Sequence, residues 1–260
     1  MTISLQPEVG GRKIGFQTGP RGVLANRPSL VLIHGAGGSR LSWRFQLPAL
    51  DEKINVLALE LPGHGETTGP ALGLVAEQAD FVAAVLKAWD LPGPTAVGGH
   101  SMGGAICLEL ALRHPDLAQG LILAATGARL AVNQAIFDGL KNDFSGTVKL
   151  IVKWTLSKNA APILFEESLA LLTTAGPDLL LDDFAACGRF DAAARLARVN
   201  VRTLVVGGAE DKMTPPALSR DLAETIPGAR LELIEQAGHT LMAEQPGEFN
   251  RVVLEFVSKL

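Results

Sequence analysis

The sequence predicts an α/β fold, with a mostly parallel central sheet flanked by helices and a helical segment inserted late in the chain. Three observations carry this. Short apolar runs rich in Val, Ile and Leu recur, most of them followed by a stretch of helical period. The runs are continuous, not alternating, as befits strands covered on both faces. Turns bearing glycine and proline punctuate the chain. Strand–helix alternation of this kind implies parallel strands joined by helical crossovers.

The elements follow in order. Residues 9–17 read as an antiparallel edge hairpin. SLVLIH (29–34) and INVLALEL (54–61) read as buried strands, the second closed by the turn PGHG. EQADFVAAVLKAW (77–89) has helical period. TAVGG (95–99) is a short strand, and MGGAICLELALRHP a helix that stops before Pro115. GLILAA (120–125) and VRTLVVGG (201–208) are strands. PPALSRDLAETI (215–226) is helical, with prolines at its start, where a missing N–H costs little. RLELIEQ (230–236) is the last strand, and PGEFNRVVLEFVSKL a closing amphipathic helix. Residues 128–197 break the alternation. Phe137, Phe144, Trp154, Phe165 and Phe184 lie there among leucines and alanines, with helical period throughout. The division is therefore a core unit from 1–127 and 198–260, with a helical insertion at 128–197.

Composition narrows the function. The chain has 260 residues, enough to bury a large core. Hydrophobic residues make up 47% and the net charge is −4, so the basic footprint of a nucleic-acid binder is absent. No run of 18 apolar residues suggests a membrane span. MTISLQPEVGGRK lacks the apolar core of a secretory signal. Cys107 and Cys187 have no motif spacing and read as small core residues. A cytoplasmic chain with reduced thiols is expected. No His/Cys cluster has ligand spacing, and neither a metal nor a cofactor is expected.

The strongest motif is GGHSMGG (98–104), which contains Gly99-x-Ser101-x-Gly103. An apolar strand precedes it and a helix follows, the setting in which this motif forms a nucleophile elbow. The sharp turn strains the serine backbone, and side chains two residues before or after would clash. The serine then stands at the carboxyl edge of the sheet, where open α/β sheets bind ligands. A serine hydroxyl needs a base. Of five histidines, His34 and His64 lie in turns. His100 adjoins Ser101 but should point elsewhere, and His114 ends a helix. His239, between the last strand and the last helix, is the expected base. The order Ser, acid, His then places the acid after the strand 201–208, where Asp211 is preferred over Glu210. Its task is to orient the imidazole and stabilise the imidazolium. The backbone N–H groups of Met102 and Ala36 are the expected oxyanion hole.

With these residues placed, the chain resembles the α/β-hydrolase superfamily, and most closely its capped bacterial esterase, lactonase and C–C hydrolase branch. HGAGGS (34–39) resembles the oxyanion loop, GGHSMGG the elbow, GGAEDKMTPP the acid loop and AGHTLMAEQP the histidine loop. LELPGHGET (59–67) resembles a further family turn, with Glu60 where Asp is more usual. The resemblance implies that the insertion is a cap roofing the site. Dehalogenases of the superfamily carry Asp at the position of Ser101, so dehalogenation is not expected. The resemblance implies hydrolysis of a carboxylic ester or lactone through an acyl-enzyme, acting on a small molecule with an apolar part. Hydrolysis of a C–C bond in a ring-cleavage dione is the second reading. It would need a cation from the cap, where Arg189, Arg195 and Lys153 lie. A ligand receptor that keeps the triad is the third.

Overall fold

The computed structural model describes residues 2–260. Its first strands are short: β1 (Thr2–Ile3), β2 (Glu8–Val9), β3 (Arg12–Lys13), β4 (Phe16–Thr18) and β5 (Val23–Leu24). The expected hairpin at 9–17 is divided. Gly10 and Gly11, at φ 58° and 74°, close a tight turn that pairs β2 with β3 in a small sheet of their own. β1 pairs with β5 in another. Only β4 reaches the main sheet.

The main sheet adds β6 (Ser29–Ile33), β7 (Asn55–Leu59), β8 (Thr95–His100), β9 (Gly120–Ala124), β10 (Arg202–Gly208) and β11 (Arg230–Ile234). The spatial order is β11-β10-β9-β8-β6-β7-β4. All neighbours are parallel except β4, which lies antiparallel on β7 at one edge. The chain moves outward from β6 to β7, then returns to place β8 on the other side of β6. Crossovers leave β6 and β8 in opposite directions, which opens a crevice at their carboxyl ends. HGAGG follows β6 and Ser101 follows β8, so both motifs sit on that crevice.

The helices are α1 (Gln46–Leu50), α2 (Val75–Trp89), α3 (Met102–Arg113), α4 (Gln134–Asn142), α5 (Phe144–Thr155), α6 (Pro162–Arg189), α7 (Pro216–Thr225), α8 (Leu241–Glu244) and α9 (Pro246–Val257). Successive strand residues face opposite sides, and both sides are covered. Val31, Ile33, Leu57, Val97 and Leu121 pack with Val82 of α2, Ile106 of α3 and Leu222 of α7. Leu30, Leu32, Val56, Ala96 and Ile122 pack on the other face with Leu47 of α1 and with Phe249 and Val253 of α9. This is why the strands read as unbroken apolar runs. Cys107 and Cys187 are both buried and unpaired, and burial pushes their thiols well up.

Between β9 and β10 the chain leaves the sheet. Helices α4, α5 and α6 bury Ile136, Leu140, Val148, Ile151, Leu180 and Phe184 among themselves. The α6 helix opens with Pro162 at its first position and breaks at Gly176, whose φ of 80° and ψ of 167° are not helical. Pro177 follows and cannot donate the bond that would continue the helix. A bridge between Arg129 and Asp191 closes the base of this excursion, and the Ala192 N–H donates to the Ala128 carbonyl at 2.9 Å. Among the described residues no helix is long and apolar enough to cross a membrane.

The two-sided core makes one prediction. Ile122, 1% exposed in the central sheet, should cost about 2–5 kcal/mol when replaced by alanine. Leu150, 42% exposed on α5, should change stability by no more than about 0.5 kcal/mol on the same replacement. Urea unfolding of the two variants measures the contrast.

Candidate active site

The elbow is built as its glycines require. Ser101 has φ 54° and ψ −117°, a left-handed conformation that strains any residue with a Cβ by roughly 1–3 kcal/mol. The surroundings hold it there. Its N–H donates to the Ala124 carbonyl at 2.9 Å, and its own carbonyl accepts from the Thr126 hydroxyl at 2.9 Å. A Cβ on Gly99 would lie 2.0 Å from the Gly103 carbonyl oxygen, and one on Gly103 would lie 2.3 Å from that of Ile33. The Gly103 carbonyl is fixed in the first turn of α3 and that of Ile33 at the end of β6, so both positions demand glycine.

Asp211 and His239 meet across the ends of β10 and β11. His239 Nδ1 lies 2.9 Å from Asp211 Oδ2, and both side chains are nearly fully buried. Glu210 does not take this place; its carboxylate accepts from the Lys158 N–H at 3.3 Å. The Asp211 carboxylate is further held by the N–H groups of Met213 and Thr214 at 2.8 and 3.0 Å, and by the Thr214 hydroxyl at 2.7 Å. Burial alone would raise its pKa. The His239 charge and hydrogen bond, with the bonds from Thr214, outweigh burial and hold it below the ordinary carboxylate range. Thr214 was not among the residues singled out from the sequence. Its signal is Asp-x-x-Thr, the spacing at which a hydroxyl can close a turn onto a carboxylate.

His100 is a second residue that sequence reasoning passed over. Its ring lies beside that of His239, with centroids 4.7 Å apart, and its Nε2–H donates to the His239 carbonyl at 2.9 Å. Burial, then the neighbouring His239, pushes its pKa down to about 3, so it stays neutral and keeps that bond. His34 is also buried. Its Nδ1–H donates to the Gly35 carbonyl at 2.8 Å, and Nε2 accepts from the Leu61 N–H at 3.2 Å. Burial and the nearby His64 hold it well below the usual histidine range. It shapes the turn, as its place in the sequence suggested. His114 is tied to Asp80 at the far end of α3. His64 is not a simple turn residue: it is buried against Asp183 of α6.

Ser101 and His239 line one cavity with Gly35 and Ala36. Ile151, Thr155, Leu171, Leu172 and Phe184, all from α5 and α6, form its other side, with Met213 from the loop after β10 and Met242 from α8. The space is about 110 Å³. Gly35 comes close to the elbow: a Cβ on it would be 3.2 Å from the Ser101 Cβ. Neither the Ala36 N–H nor the Met102 N–H has a hydrogen-bond partner among the described residues. Both donors lie next to Ser101 in space or in sequence. Glu60 serves its turn, accepting from the Glu66 N–H at 2.8 Å and from Arg40 Nη1 at 3.2 Å.

A mostly parallel sheet of this order, with a serine elbow after β8 and an Asp–His pair at the ends of β10 and β11, defines a hydrolase of the α/β-hydrolase fold. Residues 30–252 match the model of the alpha/beta hydrolase family, and the chain belongs to that family. It is 31% identical over 245 residues to a pimeloyl-[acyl-carrier protein] methyl ester esterase of Neisseria meningitidis, covering 88% of this chain and 92% of that protein. It is 30% identical over 254 residues to a putative carbamate hydrolase of Pseudomonas savastanoi, covering 90% of this chain and 95% of that protein. Among solved structures, a thermophilic esterase superposes with a TM-score of 0.86 at 31% identity, covering 97% and 96% of the two chains. An N-acyl homoserine lactone degrading enzyme superposes with a TM-score of 0.84 at 29% identity, covering 96% and 98%.

The charged state of Asp211 makes a prediction. Its folded pKa is lowered, so its contribution to stability is present above the unfolded carboxylate range and is lost as pH falls through the folded value. Thr214→Val removes one bond to that charge and should destabilise the fold by about 1.5–3 kcal/mol at pH 7. The gap from the parent should narrow as pH falls through the folded value of Asp211. Urea unfolding followed down that range reads it.

Proposed function

We propose that the chain is a serine hydrolase that cleaves a carboxylic ester or lactone through an acyl-enzyme. The observation that carries this is the strained Ser101 elbow on one cavity wall with His239, whose Nδ1 is held by Asp211 at 2.9 Å. In this reading His239 takes the proton of Ser101 as its Oγ attacks the carbonyl. The Ala36 and Met102 N–H groups, both unpartnered among the described residues, donate to the oxygen as it becomes charged. His239 then protonates the leaving alcohol and later takes a proton from water, which attacks the acyl-enzyme. Asp211 keeps the imidazole tautomer and does not take the proton. Helices α4 to α6 act as a cap, and their apolar side chains favour a small molecule with an apolar part. A cytoplasmic setting, without nucleic acid or membrane as partner, fits the composition.

The similarity to an esterase and to a lactone-degrading enzyme supports acyl transfer to water. The C–C hydrolase reading loses support, because the cap cations do not line the cavity. Arg189 reaches the Gly73 carbonyl, Arg195 pairs with Glu109, and Lys153 is exposed.

Ser101→Ala should lower turnover of a short-chain 4-nitrophenyl ester by about a thousandfold or more. Unchanged turnover by a folded variant would exclude the assignment. An ester and lactone panel beside a serine-reactive probe separates the substrate question from the nucleophile question.

A further inference from the structure

Asp183 lies on α6, beyond the break at Gly176, and its side chain is buried. Its Oδ2 accepts the Gly37 N–H at 2.7 Å and faces His64 Nε2 at 2.9 Å. His64 Nδ1 lies 3.1 Å from the Pro62 carbonyl oxygen, which can only accept, so Nδ1 carries a proton. Nε2 faces the Asp183 carboxyl, and this contact joins the inserted helices to the sheet loops. Burial alone would lower the His64 pKa; the hydrogen bond and charge of Asp183 outweigh it and raise it. Asp183 Oδ1 has no partner among the described residues. A buried carboxylate with one idle oxygen is costly, and an apolar residue would pack more cheaply here.

The contact that this arrangement secures is Gly37, the residue after Ala36. Gly37 has φ 63°, and a Cβ on it would lie 2.4 Å from Leu180 Cδ2 and 2.9 Å from Leu172 Cδ2. The loop is therefore pressed against α6 with its N–H turned into it. The Gly38 N–H donates back to the Gly35 carbonyl at 3.0 Å, closing the turn around Ala36. We propose that Asp183 is a positioning residue for the oxyanion loop: its carboxylate, paired with His64, fixes the Gly37 peptide and thereby the direction of the Ala36 N–H. The proposal rests on the serine hydrolase reading above. It makes the insertion part of the catalytic geometry as well as a lid over the cavity.

The test compares the parent with Asp183→Ala and Asp183→Asn. The first removes the acceptor; the second keeps an oxygen for Gly37 and loses the charge. Two rates are read: hydrolysis of a 4-nitrophenyl ester, as kcat and KM, and labelling of Ser101 by a fluorophosphonate, which also builds a charged oxygen. Thermal unfolding shows which variants are folded. Misplaced geometry of this kind costs on the order of ten- to a hundredfold. Asp183→Ala should lower kcat and the labelling rate by that factor with KM changed less than about threefold, while Asp183→Asn should stay within about threefold of the parent. Where Asp183→Ala does not fold, Asp183→Asn decides, and a tenfold loss in it overturns the proposal. Equal losses in both variants, or a change in KM alone, also overturn it. A parent that neither hydrolyses esters nor takes the label removes the serine hydrolase reading with it. A reactive parent matched by a folded, equally reactive Asp183→Ala removes this proposal alone.

Discussion

The left-handed backbone at Ser101 forces three close approaches, and the site is arranged around them. A chain turning from strand to helix within one residue brings Gly99 against Gly103, and Gly103 against the carbonyl of Ile33. It also brings the HGAGG loop within contact of the serine Cβ. The first two approaches tolerate no side chain, and the third leaves little room for one. The strain is held by bonds from Ser101 to Ala124 and Thr126, at the end of the neighbouring strand β9. Parallel pairing of β6, β8 and β9 is thus what keeps the elbow bent, and the same pairing sets the two loops side by side.

The inserted helices are joined to the sheet loops at both sides of the cavity. At the end of α5, the Thr155 carbonyl accepts the His239 N–H at 2.7 Å, and a Cβ on Gly238 would lie 2.7 Å from that same oxygen. Glu244 ties Gly238 and Ser157 together through the two oxygens of one carboxylate. At α6, Asp183 reaches Gly37 and His64. The histidine loop and the HGAGG loop therefore each lean on a different helix of the insertion. A shift of α5 or α6 would be felt first at those loops, because packed interiors transmit displacement instead of absorbing it.

Much of this was legible in the sequence because it depends on local sterics. Gly-x-Ser-x-Gly between a strand and a helix has few conformations open to it, so the elbow could be read directly. Chain order places the acid after the strand 201–208, and the resemblance of GGAEDKMTPP to the family's acid loop favours Asp211 over Glu210. The division of the 9–17 hairpin was not foreseen: Gly10–Gly11 closes a turn so tight that its two arms pair only with each other. His100 was set aside because adjacent residues diverge at the elbow. It does diverge from Ser101, but toward His239, a residue 139 positions away.

The sequence by itself determined the layer order, the elbow and the loops that bear Asp211 and His239, since period, turn chemistry and chain order are local properties. Only the tertiary structure decided which polar groups meet. Thr214 and His100 as supports of the Asp–His pair, and Asp183 against Gly37 and His64, depend on where β10, β11 and α6 come to rest. For Asp183 the contacts span 119 and 146 residues. No periodicity encodes such distances. They follow from burial, which brings the helices down on the crevice and leaves each polar group to find the partner that lies there.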